Sequence, residues 1–115
     1  MKKTVLLNQP LSSAIAGLGH LDTLVIADAG LPIPPATWRI DLAVSQGVPP
    51  FLDVLRAVLA EMQVQGAVIA SEMASHSPAL HAALLSALGG VPVTAIPHEE
   101  FKVRTVIWDF ADEPL

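Results

Sequence analysis

The chain has no cysteine among its 115 residues. That excludes a disulfide framework, a thiolate nucleophile and any cysteine-ligated zinc or iron–sulfur centre, and it suits a reducing compartment such as the cytoplasm. Basic side chains are scarce as well: six Lys and Arg against eleven Asp and Glu give a formal net charge of −5. A scattered, minority positive charge repels phosphate backbones and anionic lipid, so neither nucleic acid nor a membrane surface is an expected partner. Long apolar runs are missing too. Residues 73–98 carry no Asp, Glu, Lys or Arg, but Ser, His, Pro78 and Gly89-Gly90 break them well short of the ~20 apolar residues of a membrane helix. Lys2-Lys3 opens a stretch that imitates a signal peptide, yet Asn8, Gln9 and Pro10 interrupt its apolar segment after Leu7. Glycines form neither a phosphate loop nor a dinucleotide fingerprint, and no serine lies in a nucleophile-elbow pattern. No metal site is therefore expected.

What is present is apolar: 52% hydrophobic residues against 15% charged, less than the usual quarter. At this length a single domain spanning 1–115 is expected, with some of its apolar surface packed against other subunits. After a short strand or arm over 4–7, Asn8 is placed to cap a helix with Pro10 in its first turn and Gly17 and Gly19 at its end. TLVIAD (23–28) has the continuous apolar character of a strand buried on both faces, and AGLPIPP is a rigid loop. WRIDLAV (38–44) alternates partly, as a strand near an edge does, and ends at QGVP. Helical spacing of Phe51, Leu52, Val54, Leu55, Val58, Leu59 and Met62 predicts a helix from Pro50 to about Gln63. VQGAVIAS (64–71) reads as a buried strand. Ser77-Pro78 supplies an N-cap and first-turn proline for an Ala- and Leu-rich helix closed by Gly89-Gly90. VPVTAI is a strand, PHEEFKVR a short helix and TVIWDF a last strand. Alternating strands and helices predict an α/β domain with a largely parallel sheet flanked by helices, whose ligands sit beyond the carboxyl ends of the strands.

Two polar groups fall at such ends. His20 follows the end of the first helix, where unpaired carbonyls favour an imidazolium able to deliver a proton near neutral pH. Asp28, at the carboxyl end of its strand, suits either orienting that imidazole or binding a substrate hydroxyl. Both residue types also serve purely local ends, a histidine by bonding helix carbonyls and an aspartate by stabilising a turn. His98, Glu99, Glu100 and Lys102 start a helix directly after a strand; there the glutamates complement the helix dipole and Glu99 pairs with Lys102 at i, i+3. Glu72 and His76 have ligand-like spacing only if that stretch is helical, whereas His76 and His81, five apart, do not share a helix face. Trp38 and Trp108 suit stacking on a sugar as well as filling a core or a subunit contact.

LGHLDTLVIADAGLPIP, followed by RIDLAVSQGVP, by EMQV at 61–64 and by HEEFK at 98–102, closely resembles the D-ribose pyranase family, relatives of the L-fucose mutarotases, in order over about residues 1–105. DAGLPIP is similar to the ribose branch. The resemblance implies an enzyme without cofactor that interconverts pyranose and furanose forms of D-ribose in a cytoplasmic uptake pathway. It implies an α/β protein assembled into homo-oligomeric rings, commonly decamers of stacked pentamers, with the sugar near subunit boundaries. It assigns His20 as proton donor and Asp28 and His98 as sugar-binding positions, with Lys102 as a possible supporting residue. After Thr105 the chain reads VIWDFADEPL, where family members have a segment resembling RTGE-x-x-PYAN whose tyrosine and asparagine contact the sugar. The chain has no tyrosine, so sugar contacts are expected to be missing or replaced over 106–115. The alternative is accordingly a sugar-binding or scaffold oligomer of the same fold with impaired catalysis.

Overall fold

The computed structural model describes residues 2–19, 22–27, 33 and 35–101. Its centre is a βαβ unit. β1 (Ala67–Ala70) and β2 (Val93–Ile96) pair in parallel, with Ala67 opposite Val93 and Ala70 opposite Ile96. Parallel neighbours need a crossover, and here it is made by a single-turn helix α3 (Met73–His76) and by α4 (Pro78–Leu88). Pro78 stands at the start of α4 as expected, but the Ser77 side chain makes no capping bond. Gly89 ends that helix at φ +63°, a conformation that costs a side-chain-bearing residue strain.

Two helices precede the unit. In α1 (Gln9–Ala16) Asn8 caps as its sequence position suggests: its Oδ1 accepts from the Leu11 N–H at 2.9 Å. α2 (Phe51–Leu59) starts behind Pro50 and carries Asp53 in its first turn, where the helix dipole favours a carboxylate. It stops four residues short of the expected Gln63. The Ala60 and Glu61 amides fold back onto Arg56 and Val58 in closing turns, and the chain leaves the helix axis while Met62 still packs inward.

The face of α2 serves two clusters. Leu55 joins Ile69 of β1 and Leu84 and Leu88 of α4, whereas Val58, 2% exposed, joins Leu6 and Leu11 beneath the N-terminal arm. Ile26 packs against both. The arm over 4–7 is thus held by a buried Leu6 and forms no strand.

Two strand expectations are corrected. Residues 23–27 enter no ladder, and instead of burial on both faces Leu24 and Ile26 are half-buried while Thr23, Val25 and Ala27 are exposed. The apolar run is extended and packed on one side only, because α2 and the arm offer it one face to cover. Residues 38–44 behave alike: Ile40 and Leu42 turn inward and no partner strand is present among the described residues. The expected stop at QGVP is a tight turn, with Val44 and Val48 bonded (N–H to O, 2.9 Å) and Gly47 at φ +77°. The TVIWDF strand lies outside the described residues.

Candidate functional site

The carboxyl ends of β1 and β2 are joined by a short chain of hydrogen bonds. Pairing of the strands continues one residue further, the Ser71 N–H donating to the Ile96 carbonyl at 2.7 Å. Glu72 follows at once and reaches across. The His98 N–H donates to Oε2 at 2.9 Å and to Oε1 at 3.2 Å, and the Ser71 hydroxyl donates to Oε1 at 2.7 Å. The Glu72 main-chain carbonyl in turn accepts from the Ser75 and His76 amides and from the Ser75 hydroxyl, which starts α3.

These donors hold the Glu72 carboxyl below the ordinary glutamate range: the Ser71 hydroxyl does most, the His98 amide next, against a partial cost of desolvation. Glu72 is therefore an anionic acceptor at neutral pH. It does not resemble a general acid, whose pKa must lie near the working pH.

His98 begins a helical turn over 98–101, closed by the Phe101 N–H on the Pro97 carbonyl at 2.9 Å. The helix expected after β2 is thus present over its described part. The imidazole is exposed, at the edge where open parallel sheets bind ligands.

Among the other residues expected from the sequence, His20, Asp28 and Lys102 lie outside the described residues, as does Trp108. The described neighbours of 20–21 close on each other: the Asp22 carboxylate accepts from the Gly19 N–H at 2.6 Å and the Asp22 N–H donates to the Gly19 carbonyl at 3.2 Å. Glu72 and His76 do not converge as a ligand pair, since the carboxylate is turned to His98. No group of three or more His, Asp or Glu placed to hold a metal occurs among the described residues. Trp38 is 59% exposed. It lines a cavity of about 1060 Å³ between α1, residues 23–27, the segment 37–50 and α2, at the top of the range of small-molecule sites and far roomier than one monosaccharide requires. Glu72 and Ser71 are the residues that sequence reasoning missed as partners of His98. Their signal was position: a Ser-Glu pair directly after a buried strand, at the carboxyl edge.

The model for the RbsD / FucU transport protein family matches residues 1–107. The D-ribose pyranase of Symbiobacterium thermophilum is 57% identical over 102 residues, covering 89% of this chain and 78% of the relative. That of Coprothermobacter proteolyticus is 52% identical over 105 residues, covering 91% and 80%. The structure of Bacillus subtilis RbsD complexed with D-ribose superposes with a TM-score of 0.86 at 37% identity, covering 92% of this chain and 81% of that one.

Proposed function

The chain belongs to the RbsD / FucU transport protein family, and from that premise we propose that it is an isomerase interconverting the pyranose and furanose forms of D-ribose. The observation that carries this reading is identity above 50% over about nine tenths of the chain with proteins named D-ribose pyranase. A relative of the same fold, solved with D-ribose bound, supports the ligand class.

The chemistry asks little of a protein. An acid protonates the ring oxygen while a base takes the proton of the anomeric hydroxyl, and the bond from the anomeric carbon to the ring oxygen breaks. The open aldehyde rotates, and the hydroxyl on carbon 4 or carbon 5 adds to it, returning a proton at each end. No electron leaves the sugar and no group is transferred, so placed proton donors and acceptors suffice. We assign His20 as the acid and Asp28 and His98 as sugar contacts, with Lys102 supporting them. The exposure of His98 at the carboxyl edge of the parallel pair supports its part in that assignment.

We further propose that the protein works in the cytoplasm as a homo-oligomer, a ring built on pentamers. No helix among the described residues is long and apolar enough to cross a membrane. Large apolar side chains at the surface, Val44 at 82% and Trp38 at 59% exposure among them, support a covering subunit.

Saturation-transfer NMR on ribose tests the activity. Catalytic amounts of protein should accelerate pyranose–furanose exchange, and His20→Ala should forfeit roughly 10²- to 10⁴-fold of that acceleration, the usual contribution of a placed proton donor. Exchange unaltered by the wild-type protein defeats the isomerase; sugar binding by calorimetry without acceleration would identify the scaffold alternative.

A further inference from the structure

We propose that Glu72 is a positioning residue for this reaction: its carboxylate anchors the main chain at His98 and so fixes where the imidazole stands at the carboxyl edge of the sheet. The inference rests on His98 being a sugar contact, as assigned above.

The first ground is a vacancy in local chemistry. A helical turn leaves its first N–H groups without intrahelical partners, and a side chain on the residue before it reaches the second or third of these amides, not the first. His98 is the first residue of its turn. The acceptor comes from 26 residues earlier in the chain, on the neighbouring strand's exit.

The second ground is that both carboxylate oxygens converge on the one amide, at 2.9 and 3.2 Å, and that this amide belongs to His98 itself. Anchoring a residue's own N–H, within a turn that the Phe101 N–H closes on the Pro97 carbonyl, restrains the backbone from which its side chain projects. A helix-dipole role alone would be served equally by Glu99 or Glu100, already in that first turn.

The third ground is that the anchor is itself held. The Ser71 hydroxyl fixes Oε1, the Ser71 amide zips β1 to Ile96, and the Glu72 carbonyl is committed to the start of α3. His98 is thereby referenced to the sheet through unbroken hydrogen bonds, the arrangement expected when a contacting side chain must be placed within a fraction of an ångström.

The test uses the full chain and four variants: Glu72→Ala, Glu72→Gln, His98→Ala and the double variant Glu72→Ala with His98→Ala. Glu72→Ala should raise the KM for ribose by roughly tenfold or more, the scale on which a small misplacement acts, with a smaller change in kcat. Glu72→Gln keeps a carbonyl acceptor and should restore most of the loss. In the His98→Ala background removing Glu72 should change KM no further, because the two act as one unit. Equal losses in both backgrounds would reveal a general structural contribution and overturn the proposal. Hydrogen exchange of the His98 amide gives a readout independent of sugar chemistry: it should quicken in Glu72→Ala, and unchanged protection overturns the anchoring whatever the kinetics do. Failure of the wild-type protein to act on ribose would sink the isomerase reading alone, and the exchange measurement would then decide the anchor.

Discussion

At the residue scale two glutamates, Glu61 against the N-terminal arm and Glu72 against His98, behave alike. Glu61 is held below the ordinary carboxylate range first by the Thr4 hydroxyl, then by the Lys2 charge and the Leu6 amide, against desolvation; Lys2 Nζ stands 3.8 Å from its Oε1. Glu72 is depressed by Ser71 and His98. A carboxyl whose folded pKa lies below its unfolded value takes up a proton on unfolding. Its stabilisation is whole above the unfolded glutamate pKa of about 4.3 and is lost as pH falls through that value toward the lower folded one. Urea midpoints should accordingly be flat from pH 7 to about 5 and drop below it, and the double variant Glu61→Gln with Glu72→Gln should lose much less between pH 5 and pH 3. A wild-type-like drop in that variant would assign the acid sensitivity elsewhere. Individual residues also mark what was legible in the sequence. Asn8 as a cap, Pro78 at a helix start and Gly89 at a helix end were readable because each acts on groups within four residues of itself. The bond from Glu72 to His98 was not, because it joins positions 26 apart and depends on which strands pair.

At the element scale α2 was legible in type from its helical spacing, and β1, β2 and α4 from apolar runs bounded by Gly, Pro and Ser; the spacing overextended α2 because Met62 continues it after the helix has ended. It also turned 23–28 into a fully buried strand, since a run of Leu, Val and Ile reads the same whether one face or both are covered; among the described residues one face is. α4 sharpens the same difficulty. PALHAALLSAL is apolar around almost its whole circumference, so its sequence does not say which side faces the sheet. The structure does: Leu84 is 4% exposed and Leu88 9%, whereas Leu85 is 38% exposed. Leu84→Ala should cost about 2–5 kcal/mol, the transfer and cavity cost of a buried leucine, and Leu85→Ala well under half as much in the isolated chain. Denaturant unfolding of the two variants measures the difference, and equal destabilisation would mean that the outer side of α4 is also covered.

At the scale of the whole molecule, the covered faces are fewer than the apolar composition demands. The buried apolar side chains among the described residues are leucines, isoleucines and one valine, and all but Ile96 divide between two clusters that meet at Ile26, while Val5, Leu7, Trp38, Val44 and Val48 stand half to four-fifths exposed. Three of these belong to the segment 38–48, in which Trp38 and Val48 line the large cavity and Val44 is the most exposed. A trough too wide for one sugar and edged with Trp and Val matches a protein surface better than a solute. A second copy of this chain is the occupant under the homo-oligomer proposed above. A stable contact requires about 800 Å² from each partner, an area beyond what any one exposed side chain supplies, so the segment must act as a unit. Light scattering at micromolar concentration should therefore give a mass several times the 12.1 kDa of the chain. Trp38→Ser with Val44→Asp should lower that mass while leaving the circular dichroism of the helices unchanged, because neither residue belongs to either buried cluster. A wild-type particle of one chain's mass would reject the assembly. A wild-type oligomer unaffected by the double variant would instead move the interface to another face, with the exposed side of α4 and its Leu85 the next to be substituted.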